Sequence, residues 1–222
     1  MSTIKVTNVS HPSAASPAIV LDADGDATYA GAHDFSAATV TGAGGLRLVT
    51  PTSIANSGGS ASVSGGAVTF TGVTTISLNG VFTSDYDNYR IICNLTKTSA
   101  GFMGLRLRAS GTDSVTNYYF VNLETSTTGG PTRYASTTAT SFDLGTKSNV
   151  SGSFVMDLGN PAAVSTTNQS QNGPGAQSGI MWSSVGSGFH QVAAAYDGFT
   201  LIIITGGALI TGTIQVYGYQ NS

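Results

Sequence analysis

The sequence predicts an all-β protein: an extended N-terminal β arm followed by an antiparallel β-sandwich head of jelly-roll type. Three observations carry that expectation. No window of helical length holds apolar residues at helical spacing without a Gly, a Pro or a β-branched cluster interrupting it. From Ala67 onward, short β-prone runs recur at the interval of a sandwich or barrel. Finally, 40% of the residues are hydrophobic and mean hydropathy is +0.12, so the chain can fill a core and lacks the low hydrophobicity of disordered segments. At 222 residues there is room for one domain and an appendage.

The arm is expected over residues 1–45. Ile4, Val6 and Val9 mark a short strand, and His11-Pro12 and Ser16-Pro17 punctuate the chain after it. Ala18 to Leu21 and Ala27 to Ala30 then flank Asp22-Ala23-Asp24-Gly25-Asp26. Two β-prone runs around an Asp-Gly predict a hairpin, because a type I′ turn needs positive φ at both central residues. A lone hairpin cannot bury a core, so this one is expected to pack on copies of itself or on a partner. Residues 46–66 read as a Gly/Ser-rich linker or neck, with Leu46 to Pro51 as one alternating segment inside it. The head is expected over residues 67–222. Its predicted strands are Val68–Phe70, Thr74–Leu78, Tyr89–Leu95, Phe102–Ala109, Asn117–Leu123, Ser141–Leu144, Ser153–Leu158, Gly179–Val185, Phe189–Tyr196, Thr200–Ile204 and Gly212–Tyr219. In Phe102 to Arg108 the leucines fall on one face and the arginines on the other, the period of two that a half-buried strand requires.

Charge bounds the partners. Only 9% of residues are charged, against roughly 25% in an average soluble domain. A net charge of −3 gives weak self-repulsion, so burial of surface in a homo-oligomer is expected. Eight scattered Lys and Arg, with Arg106 and Arg108 the one close pair, leave no electrostatic footprint for nucleic acid. Cys93 is the sole cysteine, which excludes an intrachain disulfide, and its apolar surroundings predict a small buried hydrophobe. Met1 to Ser10 lacks the apolar run of a secretory leader. Phe199 to Ile210 is too short and too interrupted to span a bilayer, so no membrane insertion is expected.

Chemical motifs are sparse. Asp22, Asp24 and Asp26 invite a calcium-loop reading, but counting from Asp22 the required Gly and the closing acid are misplaced, so no metal site is expected. No G-x-S-x-G elbow occurs; Gly186-Ser187-Gly188 comes nearest but lies between predicted strands, and His190 reads as an exposed or capping residue. Asp85, Asp87, Asp113, Glu124, Asp143, Asp157 and Asp197 are the acids from which a glycosidase pair would have to come, yet most fall at predicted turns. Gly65-Gly66 and Ala43-Gly44-Gly45 lack the lysine of a phosphate loop and read as hinges. No catalytic residue and no cofactor is expected. Tyr118, Tyr119, Tyr134 and Trp182 remain as receptor-binding candidates, because aromatic faces stack on sugar C–H faces; for Trp182 a place in the core is favoured.

Two stretches carry a resemblance. Ile19-Val20-Leu21-Asp22-Ala23-Asp24-Gly25-Asp26-Ala27-Thr28-Tyr29-Ala30-Gly31, with Asp34-Phe35-Ser36 and Thr39-Val40-Thr41-Gly42, resembles the N-terminal attachment units of phage tail-fibre and minor-tail proteins. Thr52 to Asn56, Ile76 to Ile91, Leu105 to Gly111 and the closing Ile214 to Tyr219 are similar to the C-terminal heads of such proteins. The resemblance implies a homotrimer located in the virion after synthesis in the host cytoplasm. Residues 1–45 would dock on other virion proteins, and the head would bind a host surface glycan or protein. It carries no catalytic set. Shaft repeats are missing, which implies a short fibre, a collar or head fibre, or the distal piece of a larger assembly. A purely structural accessory without receptor binding (a capsid decoration, collar or baseplate component) is the alternative.

Overall fold

The computed structural model describes residues 45–145 and 151–220, together with three short strands in the N-terminal region. The chain forms two compact units, Met1–Ala43 and Gly44–Ser222. In the first, β1 (Asn8–Val9), β2 (Ile19–Leu21) and β3 (Ala27–Tyr29) make a three-stranded antiparallel sheet in the order β1-β2-β3. Leu21 pairs with Ala27, so the two runs expected to form a hairpin do pair; the turn between them, with Asp22, Asp24 and Asp26, lies outside the described residues.

The second unit is all-β and antiparallel throughout. Its strands are β4 (Leu46–Val49), β5 (Ser53–Ser64), β6 (Ala67–Asn79), β7 (Asn88–Lys97), β8 (Met103–Ala109), β9 (Thr112–Asp113) and β10 (Tyr118–Ser126). Then follow β11 (Thr132–Ala139), β12 (Phe142–Asp143), β13 (Ser151–Gly159), β14 (Ser165–Gln177), β15 (Ile180–Ala194), β16 (Gly198–Ile203) and β17 (Ile210–Tyr219). All fourteen belong to one curled sheet running β11-β10-β15-β14-β13-β7-β17-β6-β16-β8-β12, with β4, β5 and β9 paired at its sides.

The curl turns on β6. One edge of this strand carries β5 along its length, while the other is shared: Val68 to Val73 pair with β17, and Thr75 to Leu78 pair with β16. Gly72, at φ 64°, marks the change of partner. A strand that switches layers at a bulge is how one sheet becomes a sandwich. The β16–β8–β12 layer thereby folds over β7–β13 and β10 around one core. Phe82 stacks on Phe199 at 5.9 Å and meets Tyr89 edge-on at 4.9 Å, and Tyr118 meets Phe142 edge-on at 4.9 Å. Each fully buried aromatic or leucine stabilises the fold by about 1.5–3 kcal/mol.

Residues 46–66 are mostly strand, β4 and β5, and not a linker. β5 pairs with β6 from Ser53 to Ser64. Its Gly/Ser composition reflects crowding: a Cβ on Gly59 would sit 1.8 Å from the Thr71 carbonyl oxygen. Gly65-Gly66 is likewise a turn and not a hinge, with φ of 55° and 82° as the type I′ geometry demands. Ser110-Gly111 and Ser178-Gly179 join β8 to β9 and β14 to β15 with the same pair of positive φ angles.

Arg108 pairs with Asp113, and its Nε donates to Asn79 Oδ1 at 2.8 Å. Arg90 takes Asp157, which stands opposite it where β7 pairs with β13. Both Arg90–Asp157 contacts measure 2.8 Å, and Tyr219 Oη donates to the same carboxylate at 2.8 Å. The Arg90 hydrogen bonds hold the Asp157 carboxyl below its usual range.

Cys93 is fully buried, and burial pushes its thiol well above the ordinary cysteine value. Since the thiolate is the reactive form, Ellman's reagent should label no thiol in the folded protein and one per chain in denaturant.

Candidate binding groove at the sheet seam

The two ends of the ladder, β10–β11 and β8–β12, meet across a seam. Among the described residues no backbone ladder closes it; side chains do. Strand β10 alternates Tyr118, Asn122 and Glu124 inward with Tyr119, Val121 and Leu123 outward. Its partner β15 places Gly186 opposite Asn122, and β14 places Gln171 opposite Gly186. The missing side chain at Gly186 lets both amides lie over β15: a Cβ there would fall 1.8 Å from Asn122 Oδ1.

Both amides reach one carbonyl. Asn122 Nδ2 donates to the Asp143 backbone oxygen at 2.8 Å, and Gln171 Nε2 donates to the same oxygen at 2.6 Å and to Asn122 Oδ1 at 3.2 Å. Strand β12 is thus held from one side by amides and from the other by pairing with β8, where Phe142 faces Leu105 and Asp143 faces Gly104. The Asp143 carboxylate is buried, its Oδ1 accepts from Gly145 N–H at 2.7 Å, and burial holds the carboxyl above its usual range.

Above this floor lies an open groove of about 420 Å³. Strand β11 supplies Tyr134, Ser136 and Thr138 to one wall. Phe102, just before β8, and Ile204, just after β16, form the other, with Ser141 and Asp143 between. Phe102 and Tyr134 meet at 5.9 Å with their planes 65° apart. Asp143 is the one carboxylate lining the groove among the described residues. Glu124 is buried, and a Cβ on the neighbouring Gly145 would come 3.4 Å from its Oε1.

The four aromatic candidates do not form one surface. Tyr134 lines the groove. Tyr118 is fully buried beneath it: its Oη accepts from Leu107 N–H at 2.8 Å and donates to Ser114 O at 3.0 Å, which ties β10 to β8. Tyr119 is on the outer face, stacked on Phe189 at 4.7 Å with planes 5° apart. Trp182 is half-buried on β15, opposite Ser126 and Gly175, so it is neither full core nor open surface. Phe102, Phe120, Ile204 and Asp143 complete the groove, and no periodicity marks them, because the closing of the sheet brings them together.

His190 is buried, not exposed. Its Nε2 lies 3.0 Å from Thr116 O and 3.0 Å from Ser114 Oγ, and its Nδ1 lies 3.2 Å from Tyr196 Oη. Burial pushes the imidazole below its usual value. As pH falls through about 6.5 the unfolded chain takes up a proton that the folded chain resists, so stability should fall with it. The urea midpoint is expected to drop between about pH 7.5 and pH 5.5, and His190→Gln should flatten that slope.

Among the described residues no group of three His, Cys, Asp or Glu is placed to hold a metal ion, and no helix is long and apolar enough to cross a membrane. No protein-family model matches the chain, and no curated protein matches it.

Proposed function

We propose that the chain is a non-catalytic virion protein: a short trimeric fibre whose head binds a host surface and whose residues 1–45 dock on other virion proteins. The observation that carries the binding half is the groove, an aromatic pair over a fixed carboxylate at the seam of a rigid sheet. Convergent polar groups in a largely apolar cleft suit recognition. Glycosidic cleavage needs two carboxylates flanking the bond, and Asp143 as the one carboxylate lining the groove among the described residues suits binding better. The virion half rests on the resemblance of Ile19 to Gly31 and of the head segments to phage fibre proteins. Purified protein should adsorb to host cells and compete with infection; failure in both assays would remove the receptor-binding claim.

The outer face of β10, β14 and β15 supports self-association. Its outward positions include Val121, Leu123, Met181, Val185 and Phe189, all exposed, beside Asn168, Ser170, Asn172 and Pro174, with Arg133 of β11 opposite Leu123 and Asp157 of β13 opposite Ser170 as the charges that flank them. Contiguous exposed apolar surface of this kind marks an interface. Leu123→Glu is expected to convert the trimer to monomer in multi-angle light scattering, and a wild-type mass of 22.4 kDa would overturn the oligomer. The same face favours a second reading, a structural accessory that packs on other virion proteins without a receptor. In that case the head would face its neighbours in the particle and adsorption would fail.

A further inference from the structure

We infer that the seam groove is a subsite for a neutral saccharide, one sugar ring lying against Tyr134 with a hydroxyl donating to Asp143. This rests on the receptor-binding reading and names its ligand class. Four features of the groove converge on it. The first is shape: about 420 Å³ is at the small end of the range for ligand sites, roughly 300–1,000 Å³, which suits a short glycan segment. The second is the wall. Tyr134 from one wall and Phe102 from the other are half-buried and meet edge to face at 65°, so the ring surface outside their mutual contact is what meets the C–H face of a sugar.

The third is hydrogen bonding. Ser136 and Ser141 line the groove and can each donate and accept. The Asp143 carboxylate only accepts. With Oδ1 engaged by Gly145 N–H and its backbone carbonyl held by Asn122 and Gln171, it cannot turn away, and the fixed carboxylate suits an O–H donor. A ligand rich in hydroxyls matches that inventory. The fourth is charge. Asp143 opposes an anionic ligand. Arg106, whose Nε donates to the Thr140 backbone oxygen at the rim at 3.1 Å, opposes a cationic one. The two signs together leave neutral sugars as the class that meets no like charge.

The test applies the full chain to an array of neutral and acidic bacterial polysaccharides, and to soluble maltohexaose, cellohexaose and hexa-N-acetylchitohexaose in calorimetry. The expected result is binding to at least one neutral glycan, weakened about tenfold or more by Tyr134→Ala and by Asp143→Asn. Val164→Ser, at an exposed position outside the groove, should leave it unchanged. Asp143→Asn keeps an acceptor for Gly145 N–H, so its melting temperature should stay near wild type and report a folded head. Binding to no neutral glycan, binding confined to acidic ones, or neutral-glycan binding indifferent to both variants would overturn the inference. Adsorption to bacteria whose surface sugars have been oxidised by periodate would keep the receptor reading and remove the saccharide. Glycan binding through Tyr134 without adsorption to any strain would do the reverse.

Discussion

Tyr118→Ala is expected to cost about 3–5 kcal/mol of unfolding free energy, measured by urea denaturation, the range for deleting a buried aromatic side chain. Tyr118 is fully buried and meets four partners: the Phe142 edge at 4.9 Å, the His190 ring at 4.4 Å, and through its hydroxyl both Leu107 N–H and Ser114 O. Deleting the ring leaves a cavity where the two ends of the sheet are joined by side chains alone. Tyr118→Phe separates the parts. It keeps the ring and removes the acceptor of Leu107 N–H, so about 1–3 kcal/mol should be lost. If Phe proves as damaging as Ala, the hydroxyl tie dominates the seam; if Phe is neutral, packing does. Either way, the Ala variant losing less than about 1 kcal/mol would contradict a buried, untruncatable position.

The seam also explains what the sequence made legible and what it hid. Strands that bury hydrocarbon on one face declare themselves: Met103–Ala109, Asn88–Lys97 and Ile210–Tyr219 alternate, and apart from two glycines and Lys97 at the end of β7 their buried positions are the apolar ones. Strand β14 does not. Its inward residues are Thr167, Gln169 and Gln171 and its outward ones Asn168, Ser170 and Asn172, polar on both faces, so periodicity has no contrast to report. Strand β5 hides for a different reason, since the small residues its crowded pairing requires are those of a flexible linker. The edge strand β11 hides as a Thr-rich loop.

Glycine misleads in a third way. Val68–Phe70 and Thr74–Leu78 are one strand, β6, that bends at Gly72. Gly179–Val185 and Phe189–Tyr196 are largely one strand, β15, continuous through Gly186 and Gly188. In both, a residue that ordinarily punctuates is needed inside the element, for a change of partner in β6 and for close approach in β15. The groove was half legible by the same logic. Tyr134 stands out as an aromatic in a polar stretch, whereas Asp143 matters through its position opposite Asn122 and Gln171, which only the curl of the sheet creates.

Gly186→Ala puts that dependence to an energetic test. The added Cβ would meet Asn122 Oδ1 at 1.8 Å and Asn122 Cγ at 2.8 Å. Asn122 has no easy retreat, because Nδ2 is bonded to Asp143 O and Oδ1 to Gln171 Nε2, and the side chain is fully buried. Overpacking of about 1–3 kcal/mol and loss of the amide contacts, about 1–3 kcal/mol more, are both expected. Asn122→Ala alone loses the amide contacts without the clash. In the double variant the atoms that clash are gone, and the nearest remaining contact of the new Cβ is Val121 O at 3.1 Å, which a small shift relieves. The two losses should therefore be strongly non-additive, with Gly186→Ala costing little once Asn122 is Ala. Additive losses would mean that the glycine serves β15 itself and not the amides that hold Asp143. Non-additive losses would tie the strand's glycine to the floor of the groove.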